Sequence, residues 1–195
     1  MKYNLSEITD LIRSRRSLSP EQFSPRKVHR EQIELVLTNA TWAPTHGLTQ
    51  PWRFKVFTEE GLERLAELLP DMYRKHTPPE SFKQVKFDRL KERLQRVSVV
   101  IVVCMERDQS EKIAELEEIE AVACAVQNMY LTCTAYGMGA YLSTPGFIYT
   151  DSMKTALGLG EKDRCLGLFY MGYPSGEWPR SHRKPLEYVT EWISD

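Results

Sequence analysis

A mixed fold, α/β or α+β, is what this sequence predicts, and three observations carry it. Apolar residues recur at helical spacing in several stretches, of which Ile33, Val36, Leu37 and Ala40 form one. Between them lie short apolar runs bounded by Gly, Pro or polar residues, such as 52–57 and 97–105, which read as strands. The length of 195 residues suits one domain over 1–195 with a sizeable core.

The elements follow in order. Ser6 reads as a capping residue before Glu7, Ile8, Leu11 and Ile12, so a first helix should run to about Arg13. Arg13, Arg15 and Arg16 at its end suit the helix dipole. Two guanidiniums and the Ser17 hydroxyl leaving a helix together could also grip a phosphate. Residues 19–25 read as loop and 30–41 as a second helix. After a proline loop comes the strand of Trp52, Phe54, Val56 and Phe57. A helix then starts near Thr58, runs through Leu62, Leu65, Leu68 and Leu69, and is expected to stop at Pro70. Residues 71–81 read as a mobile surface excursion, 82–95 as a charged helix and 97–105 as a buried strand. An acidic stretch, 106–120, precedes a long helix through Ala121, Ala125, Met129, Leu131 and Ala135, which glycine should end at 136–139 in a left-handed turn. Strands are expected at 140–144 and 166–174, a helix at 151–157, and a last strand or helix at 188–193.

Composition narrows the function classes. With 26 basic and 27 acidic side chains the formal charge is −1, so no nucleic acid or anionic membrane is indicated as a partner. The run 97–105 is far shorter than the roughly 20 residues a bilayer span needs. The first residues lack an apolar core followed by a small-residue cleavage site, which makes the cytoplasm the expected compartment. Cys104, Cys124, Cys133 and Cys165 form no close pair and have no histidine at metal-ligand spacing, so they read as small hydrophobes rather than metal or disulfide partners.

Two stretches stand out. The run from Ala43 to Trp52 holds two prolines around Gly47, and prolines bias Ala43 and Gln50 away from helix. It is an ordered loop between a helix and a strand; the bland alternative is a proline turn feeding an edge strand. The other stretch is Arg13-Ser14-Arg15-Arg16-Ser17. With Gly137 to Thr144, Gly172-Tyr173-Pro174 and Arg183, these markers come in the order of the nitroreductase-like flavoproteins, which the chain resembles over nearly its full length. The Ala-Pro-x-His version at Ala43 to His46 looks like that of the short bacterial NAD(P)H nitroreductase-like branch.

The resemblance implies a nitroreductase α+β fold, a mainly antiparallel sheet amid helices, and an intertwined homodimer with flavin sites at the interface. It implies that Arg15, Arg16 and Ser17 hold FMN, with Arg183 near the phosphate; an exposed tail charge is the alternative for Arg183. Leu142, Ser143 and Thr144 would run past the flavin ring, and Pro44, Thr45 and His46 would reach it from the other subunit. For His46, binding is favoured over proton transfer. The implied reaction is ping-pong transfer from NADH or NADPH through FMN to a small electron-poor acceptor such as a nitroaromatic or quinone, with no catalytic side chain required. A specialised flavin enzyme of the same fold, or a non-catalytic flavin-binding protein, are the alternatives. Two departures bear on potential and substrate: Ser19 and Trp42 stand where relatives can carry basic residues.

Overall fold

The computed structural model describes residues 2–194. Its strands are β1 (Trp52–Phe57), β2 (Val100–Met105), β3 (Gly139–Ser143) and β4 (Arg164–Gly172). Its helices are α1 (Leu5–Ser14), α2 (Arg30–Ala40), α3 (Glu60–His76), α4 (Gln84–Gln95), α5 (Glu115–Ala135) and α6 (Asp151–Ala156). The sheet order is β1-β2-β4-β3, and every neighbouring pair is antiparallel. This is α+β with an antiparallel sheet.

Every residue of β2 is buried, because helices cover both faces of the sheet. Ile101, Val103 and Met105 pack with Val36 and Ala40 of α2 and with Val122, Ala125 and Met129 of α5. Val100, Val102 and Cys104 point the other way, into a cluster with Leu65 and Leu69 of α3, Leu94 of α4 and Met153 of α6. The alternation follows from the two-residue period of a strand. A register shift between Val103 and Cys104 brings Cys104 opposite Cys165. The Cys165 contact and burial push the Cys104 thiol up, and burial pushes Cys133 up to about 12. These are buried thiols, whereas Cys124 is exposed.

α5 ends as expected: Gly137 takes φ of 71°, a conformation closed to most side chains, and Met138 N–H returns to the Cys133 carbonyl at 2.8 Å. Several boundaries differ from expectation. The cap of α1 is Asn4, not Ser6; its Oδ1 accepts the N–H groups of Ser6 at 3.0 Å and Glu7 at 3.5 Å. α3 runs through Pro70 to His76 instead of stopping there. Proline in a helix interior costs about 3 kcal/mol. The apolar stripe of Leu62, Leu65, Leu69 and Tyr73 continues across it, and that burial offsets the cost. Residues 71–76, expected as excursion, are therefore helix, and the chain beyond makes a 3-10 turn at Pro79–Ser81. α5 begins six residues earlier than its apolar run, inside the acidic stretch. Near the carboxyl end the chain forms a 3-10 turn at Leu186–Tyr188, and residues 189–194 adopt neither strand nor helix.

Candidate flavin site

The chain leaves α1 at Arg15, whose backbone is already extended (φ −56°, ψ 130°). Ser17 then bridges Ala140 of β3, and Leu18 N–H donates to the Ala140 carbonyl at 2.9 Å. The approach is close enough to require Gly139, because a Cβ there would lie 2.7 Å from Leu18 Cβ. The segment after α1 thus becomes a short extension of the sheet beside β3.

Tyr130 of α5 ties this corner together. The Arg15 guanidinium lies over its ring, 5.0 Å from the centroid. Its hydroxyl accepts the Leu142 N–H at 2.7 Å, and its ring edge meets Phe169, centroids 5.0 Å apart. Arg16 faces the carboxyl-terminal segment instead: Nε donates to the Pro179 carbonyl at 2.7 Å, while Nη1 donates to the carbonyls of Arg13 at 2.6 Å and Arg15 at 2.8 Å. Trp178 Nε1 donates to the Ser14 carbonyl at 2.6 Å and closes the same clamp.

Three of the sequence-predicted residues therefore meet at this corner, Arg15, Ser17 and Leu142, whereas the Arg16 guanidinium, expected to hold FMN, is spent on main-chain carbonyls. Ser143 ends β3 and Thr144 follows it, exposed. Among the described residues, the Arg15 guanidinium and the hydroxyls of Ser17, Ser143 and Thr144 have no hydrogen-bond partner. A donor-only cation and unpartnered hydroxyls, carried on the segment after α1 and at the end of β3, match a phosphate and a polar ring edge in kind, so the residue types present fit FMN. The Leu142 N–H is already taken by Tyr130 and is not free to meet a flavin.

The other predicted residues lie elsewhere. Arg183 is in the exposed tail, where Nη1 donates to Ser181 Oγ at 2.7 Å and to the His182 carbonyl at 2.8 Å, not toward Arg15. Pro44, Thr45 and His46 belong to a loop that folds back through a 3-10 turn at His46–Leu48, with positive φ at Gly47, Leu48 and Gln50. Thr45 Oγ1 meets Thr49 Oγ1 and accepts the Gln50 N–H, each at 3.2 Å. His46 Nδ1 contacts Glu117 Oε2 at 2.6 Å, at the start of α5. From Glu117 to Tyr130 the helix climbs about 20 Å, which separates His46 from Arg15 within one chain.

Tyr130 and Glu117 are the residues sequence reasoning missed. Tyr130 sits in an apolar helix with no motif around it, and Glu117 is one of several acids in a polar run. Neither residue had a local signal. Of the two departures, Ser19 N–H and hydroxyl donate to Gln22 Oε1 and cap a 3-10 turn, while Trp42 is 82% exposed beside the loop.

Residues 12–173 match the Nitroreductase family, and the chain belongs to that family. YfhC of Bacillus subtilis, which carries a provisional NAD(P)H nitroreductase name, is 28% identical over 182 residues, covering 93% of this chain and 91% of its own. A nitroreductase-like family protein from Bacillus cereus superposes with a TM-score of 0.83 at 25% identity, covering 100% and 99% of the two chains. The FMN-dependent nitroreductase NfnB of Mycobacterium smegmatis, solved in complex with NADPH, shares the fold with a TM-score of 0.73 at 19% identity, covering 98% and 100%.

Proposed function

We propose that this chain is an FMN-dependent oxidoreductase that uses NADH or NADPH to reduce a small electron-poor acceptor, a nitroaromatic or a quinone, by a ping-pong mechanism. The observation that carries the reading is the corner where Arg15 lies over Tyr130 beside Ser17 and Leu142, with its guanidinium free. Family membership and the FMN and NADPH named for NfnB support the same cofactors here. When bound, FMN supplies the two-electron chemistry, accepting hydride from the nicotinamide and yielding it to the acceptor.

The protein's own residues bind and orient. Arg15 and Ser17 donate to the phosphate, Ser143 and Thr144 offer hydroxyls along the ring edge, and Arg16 holds the segment in place through three main-chain carbonyls. Each charged hydrogen bond of this kind contributes about 1.5–3 kcal/mol. Pro44, Thr45 and His46 complete the site from a second copy; in their own chain His46 and Arg15 contact α5 at Glu117 and Tyr130, about 20 Å apart along the helix. A homodimer is supported by the apolar residues that one chain leaves uncovered: Leu5, Ile8 and Ile12 on α1, and Val189, Trp192 and Ile193 in the tail. The reading takes 1–195 as one domain working in the cytoplasm, with Arg183 reaching the phosphate once the tail is packed in the dimer.

The test is the visible spectrum of the purified protein, followed anaerobically on adding NADPH and then NADH. Bound flavin that bleaches with either donor and recovers on adding a quinone supports the enzyme. A flavin that no nicotinamide reduces would make it a binding protein. Failure to bind FMN after reconstitution removes the reading altogether.

A further inference from the structure

The first turn of α5 carries three acids, and each reaches a different segment. Glu115 pairs with Arg164 of β4 at 2.7 Å. Glu118, 1% exposed, pairs with Arg107 at 2.5 Å and accepts the Asp108 N–H at 3.1 Å, which fixes the turn after β2. Glu117 points outward, and its carboxylate meets His46 Nδ1 at 2.6 Å. A helix dipole is served by any acid in this turn and does not require that aim. Nor does burial explain it, since the side chains of His46 and Glu117 are 63% and 45% exposed.

We infer that Glu117 is a positioning residue for His46, holding its imidazole in the Nδ1–H form so that Nε2 is the atom offered to FMN bound by a second copy. An ionised carboxylate only accepts hydrogen bonds, so the proton of this contact sits on Nδ1. Nε2, on the other side of the ring, has no hydrogen bond among the described residues. The bond also ties a strained loop to a rigid helix. Gly47, Leu48 and Gln50 have φ of 59°, 55° and 47°, and the side chain of Ile113, just ahead of α5, lies over Gly47. Without Glu117 the ring is free to turn and to exchange tautomers, and the loop loses its side-chain bond to α5. The inference rests on the reading that His46 reaches the flavin.

Two measurements on the full-length protein test it. Long-range proton–nitrogen NMR of the flavin-free protein reads the His46 tautomer. The wild type and Glu117→Gln, whose amide oxygen also accepts, should show the Nδ1–H form, and Glu117→Ala a mixture. FMN titration should show Glu117→Ala about five- to tenfold weaker, Glu117→Gln within about twofold, and no effect of Glu117→Ala when His46 is already Ala. An unchanged tautomer in Glu117→Ala overturns the role of Glu117. Unchanged FMN affinity in His46→Ala overturns the placement of His46 at the flavin, and the inference falls with it.

Discussion

The two halves of the candidate site are held by different forces. The half at Arg15, Ser17 and Leu142 is fixed by backbone pairing to β3 and by a tyrosine that is 9% exposed and packed on Phe169. The half at Pro44, Thr45 and His46 is an exposed loop with three positive φ angles, held by a threonine pair and the His46–Glu117 hydrogen bond. Changes in the first half should therefore cost stability as well as binding. Changes to exposed side chains of the second, such as His46, should cost binding with little loss of stability.

Tyr130→Ala is the largest test of that contrast. It removes a buried ring and leaves the Leu142 N–H without its partner, so it should destabilise by about 3–5 kcal/mol in urea unfolding. Tyr130→Phe keeps the ring and should cost about 1 kcal/mol. If Tyr130→Ala cost no more than His46→Ala, the contrast would be broken. Next in size, Arg15→Ala should weaken FMN about ten- to a hundredfold in a fluorescence titration. Its effect on stability should be about 1 kcal/mol or less, the size of a cation–π contact.

In the loop, Gly47→Ala forces a side chain into φ of 59° and should destabilise by about 1 kcal/mol, read as a modest drop in Tm. His46→Ala should stay within about 0.5 kcal/mol of the wild type, as exposed positions do. The smallest effect concerns the thiols of α5. Exposed Cys124 should be alkylated by iodoacetamide in the native protein, while Cys133, pushed up to about 12 by burial, should stay unmodified in mass spectra. Labelling of Cys133 would show that the face carrying Tyr130 opens.

What could be read from the sequence was local. Arg15-Arg16-Ser17 and the loop from Ala43 to Trp52 are contiguous strings whose residue types announce a phosphate grip and a broken backbone. Their partners are distant in the chain: Tyr130 lies 115 residues beyond Arg15, and Glu117 lies 71 beyond His46. A single sequence marks neither as different from other core aromatics or surface acids. Pro70 misled for the opposite reason, because a sound local rule was outweighed by the buried stripe running through it. The separation of His46 from Arg15 appears only once α5 is seen to run unbroken from Glu115 to Ala135, with His46 at one end and Arg15 near the other.

Co-expression of two variants at equal levels tests that division most directly. Arg15→Glu spoils the first half and His46→Glu the second, and each variant alone should retain almost no FMN. Random pairing makes half the dimers mixed, each with one intact site, so FMN content should recover to about a quarter of the wild-type value per protomer. A mixture that binds no more FMN than either variant alone would mean that both halves serve a site within one chain, or separate sites, and would contradict the account.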